Sequence, residues 1–240
     1  MIYAMSDIHG CIDELKEMMK KVDITENNRI IFLGDYMDYG DNSYQVLKYL
    51  KDLQGRYGVE KVIVLKGNHE QMFLEWINDY RNVYPDGSEE NMVFNDWLRT
   101  DLECGGDTIS TFLSQWQMDF LNQISRTSSM ETINREAVQM ILSNHDELIE
   151  WIQRLPSYFE TENQIFVHAG VDEEAGEYWM WGTSDSILLG KFPATTGRFY
   201  KTIIAGHVST GNRDLADDRN YHDIYYDGES HYYIDGSVYQ

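Results

Sequence analysis

The stretch IYAMSDIHG, residues 2–10, begins as an apolar run and ends with Asp7 and His9. Four later segments have the same form, namely RIIFLGD (29–35), KVIVLKGNH (61–69), QIFVHAG (164–170) and KTIIAGH (201–207). Short runs of isoleucine, valine and leucine without alternation are typical of strands buried on both faces. We therefore predict five buried strands, each followed closely by Asp, Asn or His.

Helical patterns separate the first three predicted strands. They cover residues 12–22 and 43–53, and a third begins at Glu70. Strands that alternate with helices form a parallel sheet, and such sheets bind ligands beyond the carboxyl ends of their strands. The sequence predicts an α/β fold in which all five polar groups meet at one sheet edge.

The segment between the third and fourth predicted strands is helical in character. Large apolar residues recur there at helical spacing, for example in EAVQMILSNHDELIEWIQRL, residues 136–155. Because strands resume afterwards, we predict a helical insertion at about 71–156 inside a single domain spanning 1–240. Near the end, NYHDIYYDGESHYYIDG (220–236) predicts a hairpin that turns at DGES.

Composition limits the function classes. The 19 basic and 41 acidic residues give a net charge of −22, which repels a nucleic acid duplex. A phosphorylated substrate then needs local positive charge, which divalent cations supply. No apolar run has the length of a membrane span and no secretion signal is evident, so we expect no membrane association. The two cysteines, Cys11 and Cys104, suit a reducing compartment, and we expect a cytoplasmic protein.

The polar residues at the strand ends form a candidate metal site. Oxygen and nitrogen ligands of these types suit Mn, Fe, Zn or Mg. One strand ending in aspartate or histidine is commonplace, whereas five such strands favour a shared function. The set comprises Asp7, His9, Asp35, Asp38, Asn68, His69, His168 and His207.

The same residues resemble a family signature. SDIHG (6–10), GDYMDYG (34–40), KGNHE (66–70), HAG and the later GH are similar, in order and approximate spacing, to the motifs of the phosphoprotein-phosphatase branch of the calcineurin-like metallophosphoesterases. The resemblance spans most of the chain and implies a four-layer αββα sandwich around a two-metal centre. In layout the chain resembles bacterial and phage serine/threonine protein phosphatases and symmetrical diadenosine tetraphosphate hydrolases.

The resemblance also implies a ligand set for two divalent ions. Manganese is the first expectation, with Fe, Zn, Ni or Mg as alternatives. One ion would be held by Asp7, His9 and Asp35. Asp35 would bridge to the other ion, which would also take Asn68, His168 and His207. A bridging hydroxide would then attack phosphorus.

His69 would act as the general acid that protonates the leaving group, oriented by Asp38. Glu70 leaves two alternatives open, since it either favours the start of the next helix or orients the site.

The motifs also depart from the family pattern. Tyr39 stands where the family has a phosphate-binding arginine, and a second arginine is missing near Gly182 and Thr183. Losing a guanidinium removes charge-assisted hydrogen bonds to phosphate. Four residues are candidates for the substitute role, with Arg198 first, followed by Lys66, Arg213 and a hydrogen bond from Tyr39.

The expected substrate is a phosphorylated molecule, and its identity stays open. A phosphomonoester, foremost phosphoserine or phosphothreonine on a protein, is our first hypothesis, and a nucleotide polyphosphate is the second. A hypothesis of another class is a non-catalytic phosphate-binding or scaffold protein. The sequence leaves the oligomeric state open.

Overall fold

The first sheet contains the first three of the five predicted strands. The computed structural model describes residues 1–25, 27–81, 108–212, 215 and 221–239. Three parallel strands pair in the order β1-β2-β3, namely β1 (Ile2–Met5), β2 (Arg29–Phe32) and β3 (Val62–Val64). Helices α1 (Ile12–Met19) and α2 (Ser43–Tyr57) connect them. This is the predicted βαβαβ unit.

The second sheet contains five strands in the order β4-β5-β6-β8-β7. They are β4 (Tyr158–Glu160), β5 (Gln164–Val167), β6 (Thr202–Ala205), β7 (Tyr225–Tyr226) and β8 (His231–Tyr233). Strands β5, β6 and β8 run parallel, whereas the outer strands β4 and β7 are antiparallel to their neighbours. The predicted hairpin is β7–β8, and the Asp227 side chain accepts hydrogen bonds from the N–H groups of Glu229, Ser230 and His231 in its turn.

Three apolar clusters define the four layers. Ile30 and Phe32 belong to the cluster beneath the helices of the first sheet, whereas Ile31 and Leu33 belong to the cluster between the sheets. This division follows from the two-residue period of a strand, which sends successive side chains to opposite faces. A third cluster joins the outer face of the second sheet to Trp179 and Leu189. The result is the expected αββα sandwich.

The outer helices complete the layers. Four of them lie on the first-sheet side, namely α3 (Asn68–Arg81), α4 (Thr108–Phe112), α5 (Gln115–Ile124) and α6 (Met130–Gln153). On the other side lie a 3₁₀ helix (Glu173–Tyr178), α7 (Trp179–Gly182) and α8 (Asp185–Gly190). Within the described residues, no helix is both long and apolar enough to cross a bilayer. The single domain with an insertion stays a prediction, since residues 82–107 lie outside the described part.

One detail of the predicted architecture is wrong. The five polar strand ends do not share one sheet edge, because β1, β2 and β3 form one sheet while β5 and β6 belong to the other. The two sheets pack face to face through the cluster containing Ile31, Leu65 and Phe166. Their carboxyl ends therefore converge in space, and the site is built between two sheets.

Candidate metal centre

Left-handed backbone turns aim the site residues inward. Positive φ angles occur at Asp7 (51°) and His9 (42°) after β1, at Asp35 (56°), Asp38 (68°) and Tyr39 (63°) after β2, and at His207 (63°) after β6. Residues other than glycine rarely adopt this region, at a cost of order 1–3 kcal/mol each. Gly67 allows a close approach, because a Cβ at that position would overlap the Asp35 carboxylate. The fold thus accepts local strain where the predicted ligands sit.

The Asp35 carboxylate lies at the centre of the site. Its Oδ2 atom is 3.3 Å from Nε2 of His168 and 3.8 Å from Nε2 of both His9 and His69. Two groups of possible ligand atoms share this carboxylate, His9–Asp35–His69 and Asp35–His168–His207, and within each group the atoms lie within 4.8 Å of one another. The first group includes His69, which the sequence predicts to be the general acid. Burial raises the pKa of Asp35, but His168 and His69 lower it by more than burial raises it, so the pKa lies well below its usual range. The carboxylate is therefore anionic.

Backbone carbonyls fix two of the imidazole rings. Nδ1–H of His9 donates to the Met37 carbonyl over 2.8 Å, and Nδ1–H of His168 donates to the Leu33 carbonyl over 3.1 Å. Because a carbonyl only accepts, Nδ1 of each ring carries a proton, and Nε2 is the atom that faces Asp35. Burial lowers the pKa of His168, but Asp35 raises it to about 9, so its Nε2 also carries a proton that a bound cation would displace. Burial and the neighbouring His168 lower the pKa of His207 to about 4, which keeps that ring neutral. Neutral imidazoles are the form that binds metal.

Asn68 and Asp7 complete the predicted ligand set. One terminal atom of the Asn68 amide lies 2.8 Å from Nε2 of His168, 3.0 Å from Nδ1 of His207 and 3.3 Å from Asp35 Oδ2. Asp7 is 2% exposed and accepts hydrogen bonds from the His207 N–H over 3.1 and 3.2 Å. Burial and the charge of Asp235 raise the pKa of Asp7. A cation would offset this cost of burying two carboxylates, so the residues present fit a divalent metal centre.

A hydrogen-bonded chain holds His69 at the edge of this centre. His69 Nδ1 lies 2.6 Å from Asp38 Oδ2, and the Thr108 hydroxyl donates to Asp38 Oδ1 over 2.6 Å. The Asp38 N–H donates to Ser43 Oγ over 3.0 Å. Burial lowers the pKa of His69, but Asp35 and Asp38 raise it to about 9. The His69 ring is thus held in one orientation, and its protonated form is favoured at neutral pH.

Glu70 links the two loops that bear Asp35 and Asn68. Its carboxylate accepts hydrogen bonds from the N–H groups of Asp35, Tyr36 and Gly67 over 2.8 to 2.9 Å. Burial and the nearby Asp35 raise the pKa of Glu70 to about 7. Of the two alternatives left by the sequence, orienting the site is therefore the one that the contacts favour.

The residues predicted to bind substrate lie at different positions relative to the metal centre. The Tyr39 ring lies 4.8 Å from the His9 ring and 5.4 Å from the His69 ring. Lys66 Nζ contacts Gln71 Oε1 at 3.5 Å on the first turns of α3. Arg213 lies outside the described residues.

Arg198 is placed away from the site. It is exposed and precedes β6, whereas the site lies beyond the carboxyl end of that strand. The neighbouring Gly197 and Phe199 donate through their N–H groups to Asp227 and Ser230, in the turn before β8. Because β6 and β8 are parallel, this turn lies at the opposite end of the sheet from His207. The structure therefore does not bring Arg198, the first candidate for a phosphate-binding cation, to the metal centre.

Sequence reasoning missed three residues near the centre. Thr108 braces Asp38 from 70 positions away and carries no local signal. Asp235 is 4% exposed and follows β8 in YYID, which has the same apolar-run form as the other strands and so was detectable. Tyr239 stacks on Tyr39, with ring centres 4.7 Å apart and planes 12° apart.

Comparison with known proteins agrees with this geometry. A family model described as calcineurin-like phosphoesterase matches residues 1–210. The chain belongs to the calcineurin-like phosphoesterase family. The family match includes every predicted metal ligand, from Asp7 to His207.

Relatives in this family include proteins of known name. The symmetrical bis(5'-nucleosyl)-tetraphosphatase of Janthinobacterium sp. is 23% identical over 79% of this chain and 48% of its own length. The protein of that name from Colwellia psychrerythraea is 36% identical over 30% of this chain and 24% of its own length. The chain thus matches less than half the length of these curated relatives.

Solved structures share the fold. A protein assigned as a diadenosine tetraphosphatase has a TM-score of 0.54 at 14% identity, over 99% of this chain and 84% of that one. A cold-active protein-tyrosine phosphatase from a Shewanella species has a TM-score of 0.50 at 14% identity, over 99% of this chain and 71% of that one. These similarities support the four-layer metallophosphoesterase fold.

Proposed function

We propose that this chain hydrolyses phosphate monoesters with two divalent ions, Mn²⁺ being the first choice. One observation carries the proposal. The Asp35 carboxylate lies in one group of possible ligand atoms with His168 and His207 and in another with His9, and His69, the remaining member of the second group, has its Nδ1 held by Asp38. A shared anionic ligand beside an oriented proton donor is the arrangement that hydrolysis of a phosphate ester requires.

In this proposal Asp7, His9 and Asp35 would hold one ion, and Asp35, Asn68, His168 and His207 would hold the other. When bound, the two ions supply an activated water and neutralise charge on the phosphate. Hydrogen bonds to the Met37 and Leu33 carbonyls hold the His9 and His168 rings in place. The rings therefore need no reorientation when a metal ion binds.

His69 is proposed to protonate the leaving oxygen from Nε2, because Nδ1 is committed to Asp38. Asp38 keeps this tautomer and supports the positive charge of the ring, while Thr108 and Ser43 restrain Asp38. Asp35 and Asp38 raise the pKa of His69 to about 9 and so favour the protonated ring at neutral pH. Cations bound next to Asp35 would lower the pKa of His69 towards neutrality. A general acid with a pKa near the working pH is the most effective.

Dinucleoside tetraphosphates are the second candidate substrate. The names of the Janthinobacterium and Colwellia relatives favour it. Phosphoserine and phosphothreonine on a protein are favoured by the motif resemblance.

The test is an activity screen of the 240-residue chain loaded with Mn²⁺, using para-nitrophenyl phosphate, phosphopeptides and diadenosine tetraphosphate. We expect hydrolysis of phosphomonoesters that is lost after chelation and restored by Mn²⁺. Protein that retains two ions per chain but hydrolyses none of these compounds would overturn the proposal and would favour the phosphate-binding or scaffold hypothesis.

A further inference from the structure

Four aromatic rings form a cluster at the edge of the candidate metal centre. Tyr39 and Tyr239 are stacked, and the ring of His9 lies edge-on to both, with centres 4.8 and 4.9 Å away. His69 is 4.9 Å from His9 and 5.4 Å from Tyr39. Both tyrosines are partly exposed. We call Tyr39 and Tyr239 the tyrosine pair.

The tyrosine pair lies where the leaving group must pass. A general acid reaches its proton acceptor over roughly 2.6–3.2 Å, so the leaving oxygen must approach Nε2 of His69. The centre of the Tyr39 ring is 5.4 Å from the centre of that imidazole. The Tyr39 ring therefore lies close enough to contact a group that is bonded to the leaving oxygen and approaches on its side of His69.

Among the described residues, the rings of the tyrosine pair offer packing to a leaving group at this position. Tyr39 occupies the motif position of an arginine, and Arg198 lies at the other end of the sheet. Aromatic rings attract one another in offset or edge-to-face geometry beyond the effect of buried area. An aliphatic group would gain only the area term.

We infer that the tyrosine pair selects phosphate monoesters whose leaving oxygen is attached to an aromatic ring. In such an aryl ester the ring is bonded directly to the oxygen that His69 protonates, so it falls against Tyr39. In a nucleotide the sugar separates the base from that oxygen, and the base lies further out. This inference rests on the proposed function and replaces phosphoserine with an aryl ester as the preferred substrate.

Two measurements on the Mn²⁺-loaded chain test the inference. The first is the ratio of kcat/KM for phenyl phosphate to that for cyclohexyl phosphate, which have leaving groups of similar size. Comparing this ratio between variants cancels the intrinsic reactivity of the two esters. The second is calorimetric binding of phenylphosphonate against cyclohexylphosphonate, neither of which can be hydrolysed at the phosphorus–carbon bond.

Four variants separate the explanations. Tyr39→Leu and Tyr239→Leu remove one ring each, and both ratios should fall by roughly three- to tenfold, the range of an aromatic pair. Tyr39→Phe keeps the ring without its hydroxyl and should retain the preference. Tyr226→Leu is the matched control, because Tyr226 and Tyr232 are also stacked, 4.4 Å apart, but in the β7–β8 hairpin.

The outcomes distinguish this inference from the proposed function. Ratios that stay unchanged in both leucine variants, with metal content intact, overturn the inference. A loss in Tyr39→Phe equal to that in Tyr39→Leu also overturns it, because the hydroxyl would then be the recognising group. If the wild type hydrolyses no ester, the proposed function fails, and the phosphonate binding ratio still decides whether the tyrosine pair recognises a ring.

Discussion

The two sides of the candidate centre are stabilised differently. The ligand side, comprising Asp7, Asn68, His168 and His207, is restrained by neighbouring backbone groups and by contacts among its own members. The leaving-group side, comprising Asp38, Tyr39 and His69, depends on the side chains of Thr108 and Tyr239, neither of which is a predicted ligand. We therefore expect metal binding and substrate selection to be separable properties of the fold. Mutations should therefore affect them independently.

The largest expected effect tests the residue common to both sides. Asp35→Asn removes the charge that both ligand groups share, so we expect loss of both ions and of all measurable hydrolysis. Metal analysis and kcat with excess Mn²⁺ provide the check. Asp52→Asn, which alters an exposed carboxylate paired with Lys48, is the control and should change neither quantity. Retention of two ions in Asp35→Asn would contradict the shared-ligand assignment.

His69→Asn should affect only the leaving-group side. We expect two ions per chain and a decrease in kcat of roughly 10²- to 10⁴-fold, the range for losing a general acid. The decrease should be smaller for an ester with a good leaving group, such as para-nitrophenyl phosphate, than for an alkyl phosphate. A metal loss equal to that of Asp35→Asn would show that His69 is a ligand and would remove the distinction between the two sides.

Tyr39→Arg restores the cation of the family motif on the leaving-group side. Charge-assisted hydrogen bonds contribute about 1.5–3 kcal/mol, so kcat/KM for cyclohexyl phosphate should rise by about tenfold or more. The preference for phenyl phosphate should fall at the same time, because the stacked ring is gone. A variant with unchanged metal content and no gain on cyclohexyl phosphate would show that the phosphate is already held by another group.

The smallest effect concerns a buried hydrogen bond. Thr108→Val removes the hydroxyl that donates to Asp38, while keeping nearly the same volume. We expect kcat to fall about fivefold with metal content unchanged, as for the loss of one hydrogen bond of about 1 kcal/mol. Thr132→Val, at the start of α6, is the control for a threonine exchange at a helix start. An unchanged kcat in Thr108→Val would show that Ser43 alone orients Asp38.

The sequence pattern indicates the strand-end residues on both sides of the centre, but it does not indicate the residues that support the leaving-group side. Asp7, Asp35 and His168 follow their strands within three residues, so the local pattern that predicts the strand also predicts the position of the side chain. Thr108 contacts Asp38 across 70 positions of sequence, and no local pattern encodes that contact. Arg198 shows the reverse case, since it is nine positions before His207 in sequence but separated from it by the length of β6.

The left-handed turns have a consequence for protein engineering. Among the described residues, six of the seven non-glycine positions with positive φ belong to the candidate centre or to Tyr39 beside it. Glycine or asparagine would relieve the strain at each of these positions and would add thermal stability. A laboratory library selected only for heat resistance would therefore accumulate exchanges there first. The selected variants would have a higher melting temperature but would lose the ability to bind metal. Such a selection therefore needs a concurrent assay of metal content.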